Sequence, residues 1–266
     1  PNRKWTGEEM DGQSYSMGSR LIWADLGADA VTRELLSTYG NPNTGREWYI
    51  ENVFNVEKDP SYQSRDIDLV VQSRHVVDGT VRTGHIEIKC DSYPAGDLGG
   101  RSDQGNFFLE IVSNDTKKPR TPGCFLYCEA DFLYYLFATT GTLYVMPMQQ
   151  VRASFLKRFA LDEERVFRNP SSLTEITTIP GFKHTTTRIQ GRPVYRTWGV
   201  AVPIRQVLQW AMEDGWALQK RHMLPAVLDA ARAQGVMPAL EAQMPRLARA
   251  VPANVYPRPQ TNITTI

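Results

Sequence analysis

Two short segments constrain the fold and the chemistry of this chain more than any other part of it. They cover residues 66–71 and 85–89, and in each of them polar and apolar residues alternate. Alternation with a period of two predicts strands that have one polar face and one buried face. Between the segments lies Asp78-Gly79, a dipeptide typical of hairpin turns. The sequence therefore predicts two neighbouring antiparallel strands.

One face of this predicted hairpin collects groups that can hold a metal ion. Asp66 and Asp68 share a face of the first strand, and His85, Glu87 and Lys89 share a face of the second. Strand pairing brings Asp68 beside Glu87, where two carboxylates without a counter-charge would repel each other. A hard divalent cation removes this conflict. We expect Mg²⁺ there, with Mn²⁺ able to substitute for it.

The groups around the carboxylate pair predict the other ligands of the ion and a cation that acts on the phosphate. The backbone carbonyl of Ile88 and a phosphate oxygen can complete the octahedral ligand set of an ion held by Asp68 and Glu87. Such an ion lowers the pKa of a bound water and neutralises charge on the phosphate. The Lys89 ammonium is expected to hold the attacking water or the phosphate oxygens. These donors together predict hydrolysis of phosphodiester bonds.

The arrangement resembles the PD-(D/E)XK nuclease superfamily. The core pattern of that family is an acidic residue leading a hydrophobic strand, followed by Glu/Asp-X-Lys on the next strand. The matching residues are Asp68, with Leu69-Val70-Val71 behind it, and Glu87-Ile88-Lys89. Ile67 stands where the literal motif has proline, a position that the superfamily fills loosely. The likeness covers the region of residues 16–150.

The resemblance implies both a fold and an activity. The fold is α/β, a restriction-endonuclease-like core with a mixed central β-sheet flanked by helices, here followed by a helical C-terminal extension. The activity is that of a metal-dependent DNA endonuclease whose partner is double-stranded DNA. The run from Glu87 through Glu110 to Asp131 is similar to nucleases of phages and mobile elements. The alternative is a protein with the nuclease fold that binds DNA or a protein without cleaving DNA. A third hypothesis is a phage structural or assembly protein.

A helix is predicted over residues 19–39, because apolar residues recur there at helical spacing and Gly40 follows as a stop. Members of the superfamily often place a further acidic residue on such a first helix, facing the metal. Asp29 matches that position. Asp25 and Glu34 are the other candidates, and each of the three also fits an ordinary solvated helix charge.

The rest of the core is predicted to be mainly strands. Strands are expected over residues 48–54, 106–112 and 142–146, with a loop over 91–105 and a helix over 130–137.

Residues 150–200 carry a local excess of positive charge, although the formal net charge of the chain is only +1. Nine Lys or Arg residues stand there against four acidic residues. Basic residues interleaved with aromatic ones can follow a nucleic-acid backbone, but they also fit a β-rich extension whose cations lie in solvent. The residues predicted to contact DNA phosphates are Arg188, Arg192, Arg196, Lys117 and Lys118.

The chain divides into four predicted regions. A nuclease-like core over 1–150 is followed by a β-rich basic extension over 151–202, a helical region over 203–251 and an extended or disordered tail over 252–266. Three roles stay open for the helical region, namely packing against the core, forming a homodimer and supporting DNA binding.

Composition favours a cytoplasmic protein, in the host cytoplasm if a phage encodes it. The chain has 266 residues, of which 41% are hydrophobic, and no apolar stretch reaches the length of a membrane span. The N-terminal segment has no apolar signal region. Cys90, Cys124 and Cys128 form no Cys-X-X-Cys motif, so we expect buried thiols and neither a disulfide framework nor a zinc site.

Overall fold

The computed structural model describes residues 17–98, 101–114, 116, 121–159, 181–189 and 192–244. The predicted tail at 252–266 lies outside these ranges, as do Lys117 and Lys118. The helices within them are α1 (Met17–Tyr39), α2 (Pro60–Gln63), α3 (Cys124–Tyr127), α4 (Met148–Phe159), α5 (Ile204–Asp214), α6 (Leu224–Ala233) and α7 (Met237–Gln243). No helix in the described ranges is long and apolar enough to cross a membrane.

The described residues also form strands. They are β1 (Trp48–Asn55), β2 (Leu69–His75), β3 (Val81–Asp91), β4 (Gly96–Leu98), β5 (Arg101–Gln104), β6 (Asn106–Asn114), β7 (Thr121–Pro122), β8 (Phe132–Phe137), β9 (Thr142–Pro147), β10 (Phe182–Ile189), β11 (Arg192–Pro203) and β12 (Gln219–His222).

A mixed sheet of six strands lies at the centre, in the order β1-β2-β3-β8-β9-β12. Strands β3 and β8 run parallel, and the other neighbouring strands run antiparallel. Helices flank this sheet, so the α/β class with a mixed central sheet is confirmed. The assignment to a restriction-endonuclease-like fold stays a prediction.

Strands β2 and β3 form the antiparallel hairpin that the sequence predicts. Their register pairs Leu69 with Ile86 and Arg74 with Val81. Gly79 has a φ of 72° in the turn, a left-handed conformation that glycine adopts without steric cost.

The central sheet separates two hydrophobic cores. On one face, Val31 of α1 and Ile88 of β3 belong to a core that α6 also covers. On the other face, Phe107 of β6 meets Tyr135 of β8 with ring centroids 5.0 Å apart. A second sheet, in the order β10-β11-β6-β7, contributes to this second core. Because side chains alternate along a strand, Glu87 faces the second core and not α1.

The prediction of a helix over residues 130–137 is wrong, because Phe132–Phe137 forms strand β8. Its side chains point alternately into the two hydrophobic cores, Tyr135 into one and Leu136 into the other, so both of its faces are buried. A strand covered on both faces shows a continuous apolar run without a period of two, and such a run also fits a buried helix.

Two further predictions need correction. Asp66 and Asp68 lie before β2 and not within it, since the strand begins at Leu69. Asp66 lies in the turn after α2, where its φ is 54°. The loop predicted over 91–105 contains the short antiparallel pair β4 and β5.

The C-terminal region packs back on the core, which is one of the three roles that the sequence left open. Helix α6 contributes Val227 and Ala230 to the core beneath α1. Strand β12, which the sequence does not predict, pairs with β9 at the edge of the central sheet. Strand β11 pairs with β6, so the basic extension shares a sheet with the predicted core.

Candidate metal centre

The β2–β3 register brings Asp68 and Glu87 together. Leu69 pairs with Ile86, and one step further along the same register sets Asp68 beside Glu87. The backbone N–H of Asp68 donates to the Ile86 carbonyl at 2.9 Å. The Asp68 Oδ2 accepts from the backbone N–H of Ile88 at 2.7 Å, which fixes the carboxylate at the end of the strand.

Glu87 and Lys89 form an ion pair on the same face of β3. Lys89 Nζ lies 2.7 Å from Glu87 Oε1, and the exposed fractions of the two side chains are 34% and 2%. The other carboxylate oxygen, Glu87 Oε2, is buried and has no hydrogen-bond partner among the described residues. One oxygen of this carboxylate is therefore available to a further ligand.

Burial makes the two carboxylates costly to ionise. Desolvation raises the pKa of Glu87 well above its ordinary value, and the charges of Asp68 and Asp66 raise it further against the opposing effect of Lys89. Desolvation also raises the pKa of Asp68, although Lys89 and the Ile88 N–H act against it. A divalent cation would relieve the repulsion between these carboxylates.

The surroundings of Lys89 favour its charged form. Burial acts to lower the pKa of Lys89, but Cys124 in its thiolate form and the carboxylates of Glu87, Asp66 and Glu110 raise it well above its ordinary value. The charge of Glu110, on β6, thus acts on Lys89. A lysine with a raised pKa suits the stabilisation of negative charge and not the abstraction of a proton.

Asp66 joins the cluster from the turn before β2. Its left-handed backbone is uncommon for a residue other than glycine, and aspartate tolerates it better than most. Its Oδ2 is buried without a hydrogen-bond partner in the described part of the chain. Ligand atoms of Asp66, Glu87 and Cys128 lie within 4.8 Å of one another.

The structure does not bring Asp29 to this cluster. Its carboxylate pairs with Arg33 at 2.9 Å on α1, a helix that packs against the opposite face of the sheet. Burial first, and then the charges of Asp68 and Asp25, raise the pKa of Glu57, which follows β1. Asp25, one turn before Asp29 on α1, thus acts on the same carboxyl group as Asp68 does.

The structure describes only some of the residues that are predicted to contact DNA. Arg196 is exposed on β11, with its guanidinium carbon 5.9 Å from the centroid of the Trp198 ring. Arg188 and Arg192 lie on the β10–β11 hairpin, where Ile189 pairs with Arg192 and only the backbone is described. All three stay predictions, as do Lys117 and Lys118 outside the described residues.

Sequence reasoning missed Glu57 and Cys128 as neighbours of the site, and it placed Asp66 on the same face as Asp68 without naming it as a metal ligand. The Asp66-Ile67-Asp68 repeat was a visible signal for a second carboxylate. Cys128 carried no such signal, because it reaches the site through a fold contact with a turn far away in the sequence.

Comparisons with protein-family models, with curated proteins and with solved structures found no match to this chain. The resemblance to the PD-(D/E)XK superfamily therefore depends on the residues of the two strands alone.

Proposed function

We propose that this chain is a metal-dependent DNA endonuclease with a PD-(D/E)XK-like, restriction-endonuclease-like core. The observation that carries the proposal is the buried Glu87 carboxylate, paired with a partly exposed Lys89 at 2.7 Å and set beside Asp68 by the strand register. A carboxylate pair with an adjacent lysine is a donor set for phosphodiester hydrolysis.

The residues present fit a hard divalent cation. Asp68 and Glu87 would hold it, with the Ile88 carbonyl as the predicted third ligand, and the unpaired Glu87 Oε2 is the orphaned atom that favours this. Mg²⁺ is the expected ion and Mn²⁺ its substitute. When bound, such an ion supplies an acidified water and neutralises charge on a phosphate.

In this proposal, groups of the protein hold the Asp68 carboxylate and the Lys89 ammonium in place and neutralise charge on the phosphate. The Ile88 N–H fixes the Asp68 carboxylate from one side. Glu87 pairs with the Lys89 ammonium, and Lys89, whose side chain is 34% exposed, would stabilise the negative charge that develops on a phosphate oxygen. The raised pKa of Lys89 favours the charged form that this role needs.

DNA is the proposed substrate because a basic hairpin flanks the site. Strand β11 pairs with β6, and β6 carries Glu110, whose charge acts on Lys89. The β10–β11 hairpin thus belongs to the sheet that faces the site, and Arg196 on it is exposed. Phosphate contacts along this hairpin would give affinity without sequence preference.

The test is cleavage of plasmid and of linear single- and double-stranded DNA in Mg²⁺, Mn²⁺ or EDTA. The wild type should cleave DNA only with metal, and Lys89→Met should not cleave it. The matched control is Lys157→Met, since Lys157 is 70% exposed on α4 and pairs with Asp214. Binding without cleavage in every metal would favour the silent nuclease fold, and absence of both would favour a structural protein.

A further inference from the structure

Cys128 is held against the turn that carries Asp66. Its Sγ donates to the Asp66 carbonyl at 3.0 Å, and the Glu129 N–H donates to the Arg65 carbonyl at 2.9 Å. Arg65 and Glu129 also form an ion pair at 2.6 Å. These contacts fix the segment before β8 beside the segment before β2, and the thiol is buried between them.

Three potential ligand atoms converge at this place. One oxygen of Asp66, one oxygen of Glu87 and Cys128 Sγ all lie within 4.8 Å of one another. Glu87 is 2% exposed, and its Oε2 has no hydrogen-bond partner among the described residues. The same holds for Asp66 Oδ2. Buried carboxylate oxygens normally have a donor or a cation, so these two indicate a ligand.

Lys89 does not supply a hydrogen-bond donor to these two carboxylate oxygens. Its ammonium pairs with Glu87 Oε1, which leaves the second oxygen of Glu87 and the carboxylate of Asp66 facing the thiol region. When both carboxylates are ionised they outnumber the one ammonium, and the excess negative charge lies in a largely buried space. Binding of a cation removes that excess.

We propose that Asp66, Glu87 and Cys128 form a site for a thiophilic divalent cation of the Zn²⁺ and Cd²⁺ class. Sulfur is a poor ligand for Mg²⁺, whereas Zn²⁺ accepts thiolate together with carboxylate oxygens. Three protein ligands leave a fourth position for water. On binding, the covalent S–H bond of Cys128 breaks and its proton goes to solvent, so the hydrogen bond from the thiol to the Asp66 carbonyl is lost and a sulfur–metal bond forms.

This site does not rest on the proposed nuclease activity, because it can be loaded without DNA. It shares Glu87 with the proposed Mg²⁺ position, while Asp68 is not among its ligands. If both proposals hold, Zn²⁺ competes with Mg²⁺ for Glu87 and inhibits cleavage. No spacing motif predicts the site, since its ligands come from a turn, a strand and the end of a short helix.

The experiment is a titration of the metal-free, reduced full chain with Cd²⁺, followed by the near-ultraviolet charge-transfer absorption of a sulfur–cadmium bond. We expect one Cd²⁺ per chain, displaced by Zn²⁺ and not by Mg²⁺ at equal concentration. Cys128→Ala should lose the absorption. Asp66→Asn should bind at least about tenfold more weakly, because asparagine tolerates the left-handed backbone but removes the charge.

The matched controls are the other two cysteines. Cys90 lies on the opposite face of β3, where its Cβ is 2.7 Å from an added Cβ at Gly27, and Cys124 is not one of the three clustered ligands. Cys90→Ala and Cys124→Ala should keep the absorption and the affinity. No stoichiometric absorption in the wild type, its loss in a control variant, or unchanged affinity in Asp66→Asn would each overturn the proposal.

Cleavage assays keep the two proposals separate. Wild type that cleaves DNA in Mg²⁺ but shows no cadmium absorption refutes the thiophilic site alone. Stoichiometric cadmium binding in a chain that cleaves no DNA refutes the proposed nuclease and leaves the site standing.

Discussion

Lys89 and Glu87 stand two residues apart on one face of β3, and Lys89 Nζ lies 2.7 Å from Glu87 Oε1. The pair is asymmetric, because the carboxylate is almost fully buried while about a third of the lysine side chain is exposed. Glu87 is therefore held in a buried position, while part of the Lys89 side chain reaches solvent. This division of exposure differs from that of a surface ion pair, in which both side chains are solvated.

The first prediction separates catalysis from binding. Lys89→Met should lower the cleavage rate by at least about 100-fold, because it removes a charge aimed at the developing negative charge. DNA affinity should stay nearly intact, since long-range phosphate contacts elsewhere supply most of it. Single-turnover cleavage and fluorescence anisotropy on the same duplex measure the two effects.

The control for this variant is thermal unfolding, since removal of Lys89 leaves Glu87 without its cation. A folded Lys89→Met protein that cleaves as fast as the wild type would show that the lysine has no part in the reaction.

The second prediction concerns the ion. Asp68→Asn should lose cleavage together with the stabilisation by Mg²⁺ or Mn²⁺, because a ligand that binds only the folded state raises the melting temperature. The asparagine oxygen can still accept from the Ile88 N–H, so the turn should be preserved. Asp229→Asn is the matched control, as Asp229 is 60% exposed on α6 and pairs with Arg232.

A melting temperature that rises equally with Mn²⁺ in the wild type and in Asp68→Asn would place the ion away from this carboxylate.

The hairpin that carries the site was predictable because its signal is local. Alternation fixes which residues share a face of β3, and the Asp78-Gly79 turn fixes the pairing with β2. The adjacency of Asp68 and Glu87 then follows from geometry alone. The same local logic predicted α1, which ends at Tyr39 just before Gly40.

The remaining features depend on contacts between distant parts of the chain. Strand β8 shows no alternation, because a hydrophobic core covers each of its two faces and both faces are apolar. Asp66 reaches the cluster through a left-handed turn, and Cys128 through a hydrogen bond to that turn. Neither a period nor a spacing motif encodes such contacts.

The third prediction is a dependence of stability on pH. Burial raises the pKa of Glu87 well above its unfolded value, so between the two values the folded chain binds a proton that the unfolded chain does not. The contribution of Glu87 to stability is therefore full below the unfolded pKa and is lost as pH rises through the folded pKa. Without metal, Glu87→Gln should be more stable than the wild type near neutral pH.

The gain should shrink as pH falls toward about 4.5, and one carboxyl can change the slope by at most about 1.4 kcal/mol per pH unit. Asp68 shifts in the same direction, so some slope should remain in Glu87→Gln. Denaturant unfolding in EDTA across this range measures the difference. Parallel stability curves for the two proteins would contradict the buried, proton-linked state of Glu87.

The basic hairpin is the proposed path of the flanking duplex. Arg188 and Arg192 lie near the turn of β10–β11, and Arg196 lies further along β11, where it pairs with Thr186. Three cations along one hairpin can follow a phosphate backbone, but they equally fit a solvated edge. Salt dependence distinguishes these interpretations, because only a cation that contacts phosphate releases counterions when DNA binds.

The fourth prediction follows from that distinction. Replacing the three arginines together with alanine should weaken binding uniformly across sequences and flatten the slope of log affinity against log salt by up to about 0.9 per lost contact. Cleavage at saturating DNA should change little, since the reactive groups lie on β3. Arg232→Ala on α6 is the matched control, with a side chain that is 61% exposed. An unchanged slope in the triple variant would show that these arginines are solvated surface, and the DNA path would then have to be sought along Lys117 and Lys118.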